Sequence, residues 1–260
     1  MARPQRLTPS LRERVWGRTH LAPWFADAEK PIGEAWYLAD HELPLLVKMI
    51  FTSERLSVQV HPDDGEDGPR GKTEMWYILD AEPGATIALG FREEISRERL
   101  RDATRTGEIE QLLNWVPVRA GETYFTPAHT VHAIGGGIVL FEIQQNSDVT
   151  YRLWDYGRPR EIHVEKAAPI AHLGVHPGAS RAVGLAAGRT ELVRAKHFVT
   201  ELIEAAWFVA EPQTCQLVLW IDGRGVVGGE EVKAGEVWLL PEETVVIEAA
   251  GRFLRTFAPK

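Results

Sequence analysis

Cysteine is almost absent from this sequence: Cys215 stands alone among 260 residues. An internal disulfide is therefore excluded, as is a metal centre built from paired thiolates, and a reducing cytoplasm is the expected compartment. Long apolar runs are missing too. No stretch approaches the roughly 18 apolar residues of a membrane helix, and the basic segment MARPQRLTPSLRERVW lacks the apolar core of a secretory signal. A soluble protein with no membrane partner is expected. Positive charge is in deficit, with 29 Lys and Arg against 37 Asp and Glu and a formal charge of −8. Such a chain lacks the broad positive field that draws nucleic acid, although a local basic pocket can still take a small anion.

What is present from Glu34 onward is a series of short runs rich in β-branched and aromatic residues, punctuated by Gly, Pro and Asp: EAWYLA, LPLLVKMIF, RLSVQVH, EMWYILD, ATIALGF, ETYFTP, GIVLFEIQ and VTYRLWD. This rhythm predicts an antiparallel barrel or sandwich. One segment, near residues 94–113, breaks it. There Ile95, Leu100, Ile109, Leu112 and Leu113 recur at helical spacing, which predicts a helical insertion whose second part Thr106 caps. Residues 166–195, rich in Ala, Gly and Pro, show neither period and read as a connection. The strand rhythm then returns over 196–260, predicting a second, smaller β unit after a first unit spanning 1–165. KAGEVWLLPEETVVI echoes RAGETYFTPAHTVHAI, which points to an internal duplication whose second copy lacks the two histidines of the first.

Three short segments concentrate polar residues where a barrel interior would be apolar. In SVQVHPDD, alternation places Ser57, Gln59 and His61 on one face and Val58 and Val60 on the other. In GKTEMWYIL it pairs Lys72 with Glu74, and in PAHTVHAIGGG it puts His132 at the head of an apolar strand. An isolated inward His or Glu is more often a hydrogen-bonded structural residue than a ligand. Here Gln59, His61, Glu74 and His132 lie on three strands, each beside turn residues, and together offer two imidazoles, a carboxylate and an amide oxygen. That mixed set suits Zn²⁺, Fe²⁺, Mn²⁺ or Co²⁺.

The segments VQVHPDD, GKTEMWYIL, PAHTVHAIGGG and FEIQQNSDVTYRLWDYGR, with VWGRTHL and IGEAWYLAD before them, resemble the motif series of the short bacterial type I mannose-6-phosphate isomerases of the cupin superfamily. The resemblance implies an all-β dominated fold of two cupin-type jelly-roll barrels, the second degenerate and metal-free. It implies one divalent metal ion per chain, expected to be zinc, held by Gln59, His61, Glu74 and His132. Arg152 would be the catalytic arginine, with Lys72 and Glu142 beside it. Ser57, Lys72 and Arg158 would bind the substrate. The family commonly has a small residue, often Gly, where this chain has His129, which is expected to point outward.

The implied reaction interconverts mannose 6-phosphate and fructose 6-phosphate through a metal-assisted cis-enediol. Negative charge develops on two sugar oxygens, which a divalent cation and a guanidinium oppose. The base remains open at this level among Glu142, Lys72, a metal-held hydroxide and His129. Two other readings stand beside this one: a different metal-dependent cupin enzyme, such as an oxygenase, and a non-catalytic cupin that binds a sugar phosphate. Preference between mannose and glucose 6-phosphate and the oligomeric state are not legible in the sequence.

Overall fold

The computed structural model describes residues 3–259, and they form four antiparallel sheets. A six-stranded sheet runs in the order Thr8–Arg18, Ile32–Leu38, Leu45–Phe51, Ile138–Gln145, Glu74–Ala81 and Thr123–Thr126. Facing it is a five-stranded sheet of Tyr151–Trp154, Val58–Val60, His132–Ile134, Thr86–Phe91 and Leu113–Pro117. The second unit pairs a seven-stranded sheet with a four-stranded one. Each unit is thus a pair of facing sheets of cupin type, as the strand rhythm anticipates.

The two units share a core. One face of the six-stranded sheet, carrying Ala35, Tyr37, Val47, Met49, Phe51, Met75, Tyr77 and Phe141, packs on Phe198, Leu217, Leu219, Val237 and Leu254 of the seven-stranded sheet. Its opposite face, with Ile50, Trp76, Ile78 and Leu140, meets Ile87, Leu89 and Ile134 of the five-stranded sheet. Covered on both sides, its central strands lose the alternation of a half-exposed sheet: all seven residues of Leu45–Phe51 and all eight of Ile138–Gln145 are buried. Burying a large apolar side chain is worth roughly 1.5–3 kcal/mol, so this shared layer ties the stability of the first unit to the second.

Helices cover the outer face of the five-stranded sheet. The expected insertion forms Arg97–Thr106 and Ile109–Leu112, which bury Leu100, Ala103 and Ile109 against Val58, Val60, Ala133 and Leu153. The cap differs from expectation. Ser96 caps the first helix by accepting from the backbone N–H of Arg99 at 3.0 Å, and Gly107, at φ 82°, ends it. Thr106 is instead the last residue of that helix, its hydroxyl turned back toward the Asp102 and Ala103 carbonyls.

Residues 166–195 carry more structure than their composition suggests. They contain most of the helix Val164–Ile170 and two strands, Val183–Ala186 and Arg189–Arg194, at one edge of the seven-stranded sheet. All four residues of Val183–Ala186 are exposed, so burial leaves no periodic mark there and backbone pairing alone makes the strand. At the opposite edge Gln5–Arg6 pairs with Val237–Leu240, drawing the start of the chain into this sheet.

The echoed segments occupy matching places. Thr123–Thr126 and Val237–Leu240 lie in the larger sheet of their respective units, and His132–Ile134 and Val245–Ala250 in the smaller. Both copies enter through a turn at a left-handed glycine, Gly121 at φ 89° and Gly235 at φ 83°. The same strand-turn-crossover unit is built twice.

Candidate metal and substrate site

Strand register assembles the site before any side chain is considered. On the face of the six-stranded sheet turned to the five-stranded one, Trp36, Lys48, Glu142 and Trp76 form one cross-strand row. Leu46, Gln144, Glu74 and Thr126 form the next. Across the interior, His132 pairs with Gln59, and Gln59 with Arg152. Two polar rows therefore face each other inside a sandwich whose other layers are apolar.

His61, Glu74 and His132 converge, with their ligand atoms all within 4.8 Å of one another. Nε2 of His132 lies 3.3 Å from Glu74 Oε1, and Nε2 of His61 lies 3.6 Å from Oε2. Each imidazole gives its Nδ1–H to a backbone carbonyl: His61 to Val149 at 2.9 Å and His132 to Thr130 at 2.8 Å. That bond sets the tautomer and leaves the Nε2 lone pair facing inward. The Gln59 amide lies 3.2 Å from His132 Nε2, and turning it over presents its oxygen at the same place. Both Glu74 oxygens are buried, Oε1 without a hydrogen bond and Oε2 with only the Lys72 ammonium at 2.8 Å. A buried carboxylate is costly unless compensated, and two neutral imidazole nitrogens and an amide beside it are the donor set a divalent cation would complete.

The electrostatics agree. Burial, followed by the charge of Lys72, pushes the His61 imidazole well below its usual value, and burial brings His132 down to about 4. Both are neutral near pH 7, as ligation requires. Burial and the neighbouring Glu142 charge raise Glu74 to about 7, against the opposing pull of Lys72.

Lys72 bridges this cluster to a cleft. Its ammonium lies 2.8 Å from Glu74 Oε2, 3.1 Å from His61 Nε2 and 3.8 Å from Glu142 Oε1. Burial works against its charge, but the Glu142 and Glu74 carboxylates outweigh it and raise its pKa, so Lys72 stays protonated. Glu142 also takes Lys48 Nζ at 3.0 Å and the indole N–H of Trp76 at 3.2 Å. Burial pushes this carboxyl up, yet Lys48 and Lys72 together draw it down to about 2. The adjoining cleft measures about 330 Å³ and is lined by Ser57, Gln59, Lys72, Glu142 and Arg152, with Arg14, Lys48 and Arg160 adding positive charge. A larger groove of about 1250 Å³ runs past His129, His172 and His176. The carboxylate–imidazole cluster adjoins the smaller space.

Mannose-6-phosphate isomerase of Streptococcus mutans serotype c is 31% identical to this chain, with 93% of each covered. The chain belongs to the mannose-6-phosphate isomerase family. ManA of Bacillus subtilis, also a mannose-6-phosphate isomerase, is 31% identical over 90% of this chain and 91% of that protein. The solved structure of the Bacillus subtilis mannose 6-phosphate isomerase superposes with a TM-score of 0.88 at 27% identity, covering 98% of this chain and 99% of that one. The phosphomannose isomerase of Salmonella typhimurium, at 17% identity and a TM-score of 0.82, shares the fold. No protein-family model matches the chain.

Within this member of the mannose-6-phosphate isomerase family, the fold brings His61, Glu74 and His132 together and lines the neighbouring cleft with Ser57, Gln59, Lys72, Glu142 and Arg152. Arg152 gives an Nη1–H to the Glu161 carbonyl at 2.8 Å, while its Nε is buried without a partner. Arg158 lies apart from the cleft lining: its guanidinium is tied to Asp155 at 2.8 Å and to the Arg55 carbonyl at 2.7 Å. Arg160, held by the same Asp155, is the arginine that reaches the cleft. His129 sits at φ 72°, and its Nε2 meets Glu66 at 2.8 Å in a half-exposed hydrogen bond.

Lys48, Glu34 and Arg14 are missing from the set that motif reading singles out. Lys48 was nonetheless detectable, as the lone charge in LPLLVKMIF at a position in phase with Leu46 and Ile50. Its ammonium also lies 4.6 Å from the Trp36 ring centroid.

Proposed function

We propose that this chain interconverts mannose 6-phosphate and fructose 6-phosphate as a metal-dependent aldose–ketose isomerase acting in the cytoplasm. The observation that carries the reading is the buried Glu74 carboxylate, set between two neutral imidazoles and paired only with the Lys72 ammonium that lines the neighbouring cation-rich cleft. Gln59, His61, Glu74 and His132 would hold the ion. Zinc is the ion proposed, because two imidazoles, one carboxylate and one amide make a borderline set without thiolates. When bound, it would supply Lewis-acid polarisation of the sugar oxygens.

The protein's own groups supply the rest. Isomerisation moves a proton between C1 and C2 while hydroxyl and carbonyl exchange places, and a cis-enediol lies between them. Arg152, whose Nε lacks a partner, opposes negative charge developing on the sugar oxygens. Lys72, held protonated, donates to one of those oxygens. We assign the proton transfer to the Glu142 carboxylate, the unprotonated group 3.8 Å from the Lys72 ammonium, which takes the proton from one sugar carbon and returns it to the other. The 6-phosphate takes its partners from Ser57 and the guanidinium groups at the cleft, Arg160 filling the place expected of Arg158.

The test is conversion of mannose 6-phosphate by protein stripped with a chelator, before and after Zn²⁺ and other divalent ions are returned singly. Restored activity supports the reading and identifies the preferred ion. Folded protein that binds the sugar phosphate but fails to turn it over with any of the ions would make it a sensor, and absence of binding would leave another cupin chemistry.

A further inference from the structure

The His61–Glu74 segment supplies two groups of the cluster and Lys72, yet the loop between them carries four acidic residues, Asp63, Asp64, Glu66 and Asp67, that the proposed reaction does not use. Three of them fasten the loop outward: Glu66 to His129, Asp67 to Tyr151 at 2.7 Å and Asp64 to Lys196 at 3.0 Å. Asp64 alone also reaches inward. Its Oδ1 accepts from the Gly71 N–H at 3.0 Å and from Gln145 Nε2 at 2.8 Å.

Gln145 completes the link. It is 4% exposed, its Oε1 accepts from the Thr73 N–H at 2.9 Å, and its own N–H donates to the Thr73 carbonyl at 3.0 Å. Thr73 lies between Lys72 and Glu74, so both flanking side chains leave a main chain gripped on each side. The grip continues through Lys72 N–H to the Pro62 carbonyl at 3.0 Å and through Thr73 Oγ1, which accepts from Ala128 N–H at 3.1 Å. At Gly71 even one added carbon would come within 2.5 Å of the Asp63 carbonyl carbon, so the two ends of the loop are in contact.

We propose that Asp64 and Gln145 are positioning residues that set Lys72 and Glu74 in the site by holding the main chain of Gly71 and Thr73. The inference rests on the reading of that site as a metal-dependent isomerase centre. Neither residue faces the sugar. Their role is to convert a flexible turn between strands into a fixed platform, because a carboxylate and an ammonium placed 2.8 Å apart tolerate little drift of their shared backbone. Lys196 meets the outer oxygen of Asp64, and as an exposed ion pair it contributes little to this grip.

The experiment compares wild type, Asp64→Asn, Gln145→Met and the double variant in the full-length chain. Zn²⁺ affinity is read by chelator competition, kcat and KM for mannose 6-phosphate at saturating zinc, and urea unfolding in parallel. The expected result is a loss of about tenfold in zinc affinity or kcat for each single variant, the scale of losing a group that orients a ligand. KM should change less than kcat, and the double variant should lose little more than the worse single one, as members of one chain do. If either single variant unfolds, the other decides. Wild-type zinc affinity and kcat in the folded variants, or additive losses that track unfolding free energy alone, would overturn the positioning role. If wild type takes up no zinc, the reading of the site falls first and the positioning role falls with it.

Discussion

Lys48 and Glu142 face each other on adjacent strands, Nζ to Oε1 at 3.0 Å, with side chains only 5% and 3% exposed. Glu34, 3.9 Å from Lys48, and Lys72, 3.8 Å from Glu142, extend the pair into a chain of alternating charge that ends at Glu74. In so dry a setting each charge depends on its neighbours, and Glu142 is the link between the cation under Trp36 and the cation beside the imidazoles.

Removing one member should cost more than the pair is worth. Lys48→Met leaves the Glu142 carboxylate with only the more distant Lys72 as a cation and should destabilise the fold by about 3 kcal/mol, the scale of breaking a buried ion pair. Urea unfolding at neutral pH measures it. Adding Glu142→Gln to Lys48→Met should recover part of the loss; a double variant less stable still would show that packing, not charge, is responsible.

Acid should act on the same carboxylate. Glu142 is drawn from the usual 4.5 to about 2 in the folded protein, so its stabilising contribution is fully present above the unfolded value. As pH falls below 4.5 the unfolded chain takes up this proton first, and the contribution is lost by about 2. The urea midpoint of wild type, measured against Glu142→Gln across that window, should converge toward the variant as pH falls. A constant difference would contradict the assignment.

Two substitutions separate ligation from charge stabilisation. His61→Ala should abolish zinc retention and isomerase activity together. Arg152→Ala should keep its zinc and lose about 100-fold in kcat, the scale of removing a transition-state partner. Metal content after gel filtration, measured beside turnover, distinguishes them; zinc loss in the arginine variant would contradict its assigned role.

The layer between the units predicts a shared fate. Phe198 belongs to the second unit, yet is wholly buried in the cluster that contains Met49, Met75 and Phe141 of the first. Phe198→Ala should cost about 3–5 kcal/mol and lower the midpoint of a single transition seen by both near- and far-ultraviolet circular dichroism. A chain ending near residue 195 would bare the same apolar face and should not fold as an active first unit.

Much of this arrangement is written locally. Alternation in SVQVH, EMWYIL and HAI assigns Gln59, His61, Glu74 and His132 to the sandwich interior, because a strand turns successive side chains to opposite faces. Glycine at the head of each echoed segment marks the two left-handed turns. Chain composition likewise excludes an internal disulfide and paired thiolates, and the motif series carries the family resemblance that the relatives bear out.

Other features depend on residues far apart in the chain. The contribution of Lys48 exists only because the Leu45–Phe51 strand is flanked by Ile138–Gln145 in one particular register, 94 residues away at the ion pair. Arg158 and Arg160 are equivalent as text, and Asp155 together with the Arg55 carbonyl decides which one reaches the cleft. The edge strand Val183–Ala186 has no apolar period to read, since pairing rather than burial defines it. Periodicity is a property of one segment and can be read along it; charge pairing, cleft lining and the layer joining the two units are relations between segments, and only packing brings those segments together.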